Sequence, residues 1–517
     1  MPRFPLLRLA LVAVLSFSVP LYAAPRLPNV VVVMADGLGF SDLGCYGGEA
    51  STPCLDWLAG RGVKFSQAYH SGEEAESQMA LLTGYFAGHL RRDASLESGG
   101  VRAGLALPTW AKMLPDQLKA MGYRSYFAGA WLVGGLPKDA GFDRAYTVEA
   151  GHQFGPFRQA LDGEVLEPSQ ASEYASSVVT GNAVQFLREH AEKNSGAPFF
   201  ACVALSLPDA PLQAAEEDIA RYKGRFHGGA DELRKERLQR LKGLGMVANA
   251  ELSEPTLPAR NWLELSRTEQ DAFETRMEVH AAMVERLDTE VGRLLEQIQA
   301  AKVWDNTLFV FVSGQSASAE RQVRRANDPK ERVGGGLSYL CLEAQGASLA
   351  NTPWRYGHKF LHEGGIASPL IVHWPGGLKA RGEVRDQVVH LADITPTVLK
   401  IAGGVWPKKI GNVEVPLADG VDLSAVLKEN KPMASRGLWW GGEGHRAFRL
   451  GDWKWVALKG RPAELYYLLA DRSELLDLAE ANHERLQEME VQWKRMDARF
   501  EQDRARAVPV PSLSGAR

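Results

Sequence analysis

The chain has 517 residues, 45% hydrophobic, 24% charged and 9% aromatic, with no low-complexity tract. This globular composition excludes a disordered chain, a collagen and a multi-span membrane protein. Its 59 basic and 63 acidic residues leave a formal charge of −4 without any basic block, so nucleic acid is not an expected partner.

Arg3 and Arg8 flank the start of an apolar run, 9–21, that ends in Tyr22-Ala23-Ala24. The run is too short to span a bilayer as a helix, and the small residues after it read as a cleavage site. Residues 1–24 are therefore a predicted signal peptide, and the protein is expected to be secreted or periplasmic. The alternative is an uncleaved anchor. No other stretch is long and apolar enough for a transmembrane segment. Four cysteines, Cys45, Cys54, Cys202 and Cys341, are too few for a disulfide scaffold, show no zinc spacing, and leave their pairing open.

Five apolar, β-branched runs follow, at 29–34, 124–129, 198–206, 307–313 and 369–373. With helical patterns and Gly-rich turns between them, they read as buried strands of a parallel sheet in an α/β fold. Ligands in such folds sit at the carboxyl ends of the strands. Charge-rich residues 216–244 read as a solvated helical excursion. Ser266 and Glu269 form a capping box. Beyond it, Phe273, Met277, Ala281, Val284, Leu287, Val291, Leu294 and Ile298 repeat at helical spacing as a core stripe. After about residue 405, short aromatic runs at 437–440, 446–450, 453–458 and 464–468 predict an antiparallel sheet. A helix bearing Leu486, Met489, Trp493, Met496 and Phe500 closes it. The expected division is a leader at 1–24, a large domain at 27–405, a smaller one at 406–505 and a flexible tail at 506–517.

The text NVVVVMADGLGFSDLGCYGG from Asn29, with STPCLDWLAGRGVKFSQAYHS and ALLTG after it, resembles the N-terminal region of sulfatases, in the alkaline-phosphatase superfamily. GYRSYFAG, GFDRAY, APFFACVALSLPDAPLQA, DNTLFVFVS, HEGGIASPLIVHWPGGL, HLADITPTVLKIAG and RAFRLGDWKWV continue the resemblance in the family's order, over about residues 27–500. The arylsulfatase-like branch fits best. The resemblance implies an α/β fold: a large mixed, mostly parallel sheet sandwiched by helices, with a smaller C-terminal α+β domain.

Hydrolysis of a sulfate ester needs a nucleophile on sulfur, cations against the sulfate oxygens and an acid for the leaving oxygen. The family uses a formylglycine made from Cys or Ser in C/S-x-P-x-R, a calcium held by carboxylates and amides, and several Lys, Arg and His. Counting back from Leu81-Leu82-Thr83-Gly84, the nucleophile position here is Glu74, the Pro position Glu76 and the Arg position Gln78. Ser71 and Ser77 are out of register. Of the metal positions, Asp36 is retained, while Gly37, Gly314 and Gln315 stand at the others. Calcium takes six to eight oxygens, so no cofactor is expected. The Lys and His after the second strand become Ala130 and Leu132, the later His becomes Asp209, and the late Lys falls on His358 with Lys359 adjacent.

Structural duties for these residues stand beside that reading. Asp36 and Asp209 would shape turns, Glu74 would be a solvated helix start, and His362-Glu363-Gly364-Gly365 would hold the loop before the fifth strand. The sequence reads as a pseudo-sulfatase whose former site takes a saccharide, a small cationic ligand or a protein partner. Trp439, Trp440, Trp453 and Trp455 serve either sugar stacking or the core. Two other functions stay open: a sulfuric-ester or phosphoester hydrolase with a non-standard nucleophile, and a structural partner of an active sulfatase.

Overall fold

Asn29–Asp36, buried along its whole length, forms the central strand β1. Its alternation divides the core. Val31, Val33 and Ala35 face one hydrophobic cluster and Val30, Val32 and Met34 the other, as a strand covered on both faces requires. The computed structural model describes residues 26–90, 107–149, 151–252, 260–320 and 332–506. The leader at 1–24 and all of the tail beyond Arg506 lie outside them.

The sheet is completed by β2 (Val63–Tyr69), β3 (Arg124–Ala130), β4 (Arg144–Val148), β5 (Gln159–Leu161), β6 (Glu164–Val165), β7 (Phe199–Pro208), β8 (Thr307–Ser313), β9 (Ala367–His373), β10 (Glu383–Arg385) and β11 (Val389–His390). Its order is β10-β2-β9-β8-β1-β7-β3-β4-β5-β6, with β11 also on β2. The central strands β8, β1, β7, β3 and β4 run parallel. The sheet is thus mixed and mostly parallel. One strand departs from the sequence reading: the run at 369–373 lies in β9, which is antiparallel to both β8 and β2. A strand buried on both faces looks the same in either direction, so hydrophobicity carries no sign of polarity.

The long helix Arg267–Ala300 begins at the Ser266–Glu269 capping box and buries its stripe against the sheet. The segment 216–244 needs correction. It contains helices Glu216–Ala220 and Gly229–Gly243, but the second is not simply solvated. Arg237 is 2% exposed and pairs with Asp42 and Glu49, both far away in the chain. Among the described residues no helix is long and apolar enough to cross a membrane.

A small hairpin, β12 (Lys409–Ile410) with β13 (Val413–Glu414), leads to an antiparallel sheet of β14 (Gly437–Gly442), β15 (His445–Leu450), β16 (Trp453–Ala457) and β17 (Glu464–Tyr467). Trp439, Trp440 and Trp455 are buried among Met489, Trp493 and Phe500 of helix His483–Ala505, and against Tyr69, Phe86 and Ile366 of the large unit. These three indoles are core and offer no stacking face. Buried charges tie the two sheets together. Lys454 Nζ reaches Glu363 at 2.9 Å and Glu474 at 2.8 Å, while Glu363 also accepts from Tyr69 and Arg472. The four cysteines are free thiols.

Candidate functional site

The carboxyl ends of four parallel strands deliver residues to one cavity, as the fold class expects. Asp36 ends β1, Leu132 follows β3, Asp209 follows β7 and Gln315 follows β8. Glu73 and Glu74 come from the N-cap and first residue of helix Glu74–Thr83, and His358 and Lys359 from the loop before β9. Ala75, Gly151, Ser206, Ala210 and Glu320 complete the lining of a cavity of about 330 Å³.

Glu74 does begin a helix, where negative charge suits the unpaired N–H groups. It is 8% exposed, however, and so is not the solvated helix start anticipated above. Asp36 is 5% exposed, and the turn after β1 is held by another residue: Asp42 accepts from the Gly39 N–H at 2.9 Å. Burial, with Glu74, Asp209 and Glu73 close by, pushes the Asp36 carboxyl well above the usual carboxylate range. A hydrogen bond between Asp36 and Glu74 adds to this. Asp36 and Glu74 thus behave as two carboxyls held close enough to share a proton.

Gln78, at the Arg position, has no exposed surface. Its Nε2 donates to the Ala130 carbonyl at 2.9 Å and its Oε1 accepts from the Leu132 N–H at 2.9 Å. It clamps the backbone that leaves β3, and both of its polar atoms are engaged there. Ala130 is buried and serves as that acceptor. Ser71 and Ser77 bond each other, Ser71 N donating to Ser77 Oγ at 3.0 Å, and neither lines the cavity.

The residues present do not fit a calcium ion. Gly37 and Gly314 have no donor side chain, and neighbours have taken the space. A Cβ on Gly37, whose φ is +68°, would lie 2.8 Å from Asp209 Cβ and Oδ1. One on Gly314 would lie 2.1 Å from Met34 Cε and 3.2 Å from Glu74 Cγ. Among the described residues no three His, Cys, Asp or Glu are grouped to hold a metal. Of the family's four ligand positions only Asp36 and Gln315 keep a side-chain oxygen, too few for a hard cation.

The basic side chains of the cavity face carboxylates, Lys359 at the rim and His358 buried. Lys359 Nζ is 2.5 Å from Glu320, both being nearly half exposed. His358 Nε2 is 3.5 Å from Glu73, and burial keeps its imidazole below the usual range despite Asp209 and Glu320 nearby. Glu73 and Glu320 were not singled out from the sequence. Glu73 adjoins the nucleophile position and belongs to the acidic run Glu73-Glu74-Ala75-Glu76, a legible signal. Nothing near Glu320 marks it.

The model of the sulfatase family matches residues 28–405. The chain is 29% identical over 521 residues to an uncharacterized sulfatase of Schizosaccharomyces pombe, covering 91% of this chain and 93% of that protein. It is 29% identical over 437 residues to an arylsulfatase of Klebsiella aerogenes, covering 77% and 92%. Among solved structures, the PsFucS1 sulfatase from Pseudoalteromonas sp. is similar with a TM-score of 0.63 at 20% identity, covering 93% and 92%. Ps i-CgsB, also solved in complex with a neocarrahexaose, is similar with a TM-score of 0.67 at 23% identity, covering 91% and 93%.

Proposed function

Because the chain belongs to the sulfatase family, we propose that it is a non-hydrolysing member, a pseudo-sulfatase that keeps the fold and its pocket for binding. The observation that carries this reading is Glu74: where the family makes its formylglycine, this chain has a buried carboxyl hydrogen-bonded to Asp36. A carboxyl at this position can be oxidised to no aldehyde, and it opposes the substrate. Two like charges about 4 Å apart repel by about 4 kcal/mol at an effective dielectric near 20. The Arg position has become a backbone clamp and the metal positions are filled, so neutralisation of a sulfate is lost along with the nucleophile. Family membership by itself does not supply the family's chemistry. The apolar run at 9–21 supports export of the protein, which N-terminal sequencing of the mature chain would test.

The test of function is an assay of the purified protein on 4-nitrophenyl sulfate and 4-nitrophenyl phosphate. The expected result is no turnover above buffer. Turnover that disappears in Glu74→Ala or Asp36→Ala would overturn the reading. Ser206 carries the one hydroxyl among the described lining residues. Turnover lost in Ser206→Ala would therefore establish the alternative hydrolase with a non-standard nucleophile.

A further inference from the structure

Outside the cavity, a histidine with no exposed surface lies between two carboxylates. His89 Nδ1 is 2.8 Å from Asp419 Oδ2, and its Nε2 is 3.1 Å from Asp503 Oδ2. Asp419 stands in the loop before helix Ser424–Glu429, and Asp503 in the final helix, His483–Ala505. An ionised carboxylate only accepts, and a neutral imidazole has a single N–H. A neutral ring therefore satisfies one of these contacts and turns a lone pair toward the other. Both contacts are made only when the three groups hold one further proton. The ring is walled by Phe500, Tyr85 and Trp110, with centroids 4.5, 5.0 and 5.2 Å away, so solvent is kept from supplying the missing donor.

The surrounding charges make the two ends unequal. Asp419 also accepts from the Phe86 N–H at 3.0 Å and pairs with Arg499, while Arg436 donates to its backbone carbonyl at 2.9 Å and pairs with Asp393. The Asp419 and Gly420 N–H groups donate to the carbonyl of Gly84, the residue that closes helix Glu74–Thr83. Asp419 is thus the fixed end. Asp503 pairs with Arg506 of its own segment at 3.2 Å. Arg504 donates to the Gly88 carbonyl, and the Tyr85 hydroxyl to the Pro416 carbonyl at 2.7 Å. A neutral ring keeps its N–H on Asp419, at the shorter contact, and sets its Nε2 lone pair against Asp503.

We propose that His89 is a pH-sensitive clasp. With the further proton it fastens the final helix through Asp503 to the large unit; without it that end of the helix loosens. A bond made through the protonated form stabilises while the proton is held and is lost as pH rises. The Trp110 indole still donates to the Asp503 carbonyl at 3.0 Å, so the change is a local loosening and not a detachment.

The experiment is hydrogen–deuterium exchange of the full protein at pH 5.5 and 8.5, a range that brackets ordinary histidine titration. Each rate is divided by that of the unstructured sequence at the same pH. In the wild-type protein, protection over 497–505 should fall about tenfold or more at the higher pH, as loss of a charged hydrogen bond does. Helix Arg267–Ala300 is the internal control and should not change. Asp503→Asn supplies an amide that donates to the unprotonated Nε2, so its protection should be the same at both values. His89→Gln can donate to only one carboxylate and should be poorly protected at both. If His89→Gln does not fold, the wild-type protein and Asp503→Asn decide. Wild-type protection that is equal at the two values would overturn the proposal. So would a fall of the same size in Asp503→Asn, or one shared by the control helix.

Discussion

Replacing Gln78 by methionine tests whether the family's arginine position has become part of the scaffold. Methionine conserves the length and most of the volume of the side chain, so little cavity cost is added. What it removes is the amide that satisfies two backbone groups, the Ala130 carbonyl and the Leu132 N–H, each at 2.9 Å. Ala130 is fully buried, so its carbonyl loses its partner without replacement. Leu132 borders the cavity, where water can take over its N–H. A full penalty for the first group and a partial one for the second give a loss of about 2–4 kcal/mol. Urea unfolding should show this as a lower midpoint at unchanged slope. Gln185→Met is the control: Gln185 is exposed and bonds only Glu189 one helical turn away, so its loss should be within about 0.5 kcal/mol. A loss below about 1 kcal/mol at Gln78 would refute the clamp and leave the amide free to meet a ligand.

Three further outcomes are expected. Millimolar calcium or a chelator should leave the melting temperature unchanged, whereas an ion present at 100 times its Kd would add about 2.7 kcal/mol, so a calcium-dependent rise would show that the filled positions still bind metal. Lys454→Met removes the ammonium shared by the fully buried Glu363 and Glu474, leaving Glu363 to Tyr69 and Arg472, and should cost about 3–5 kcal/mol in urea unfolding, while Lys494→Met, at an exposed pair with Glu490, should cost less than about 1 kcal/mol; equal effects would refute the role of the buried network. Burial alone would raise the Glu363 carboxyl, but Lys454, Arg472 and Arg449 outweigh it and hold it down at about 2, against an ordinary 4.5. The unfolded chain therefore takes up this proton first as pH falls, so stability from this group is complete above about pH 4.5 and is lost as pH drops toward 2. A melting temperature that is flat from pH 5 to 3 would contradict that assignment.

Much of the site was legible as a set of replaced positions. Glu74, Gln78, Gly37, Gly314 and Asp209 could be named because motif spacing survives where chemistry does not. Their duties were not legible. Gln78 looks like a lost arginine until its two backbone partners, 52 and 54 residues away, are seen. Gly37 and Gly314 look like lost ligands, yet Asp209 and Met34 occupy the room that a side chain there would need.

The sequence by itself determined the properties that depend on neighbours along the chain. The unbroken apolar run of β1, the Ser266 capping box, the stripe of the helix Arg267–Ala300 and the aromatic strands beyond residue 437 all follow from spacing and local hydrogen bonding. Tertiary structure decided whatever depends on partners distant in sequence. It set the antiparallel sense of β9, the burial of Arg237 against Asp42 and Glu49, and the burial of the tryptophans. It also gathered Asp36, Glu74 and Asp209 around one cavity. Local spacing fixes only which face a side chain takes, whereas charge, space and donor supply at a site are sums over every segment that folding brings there.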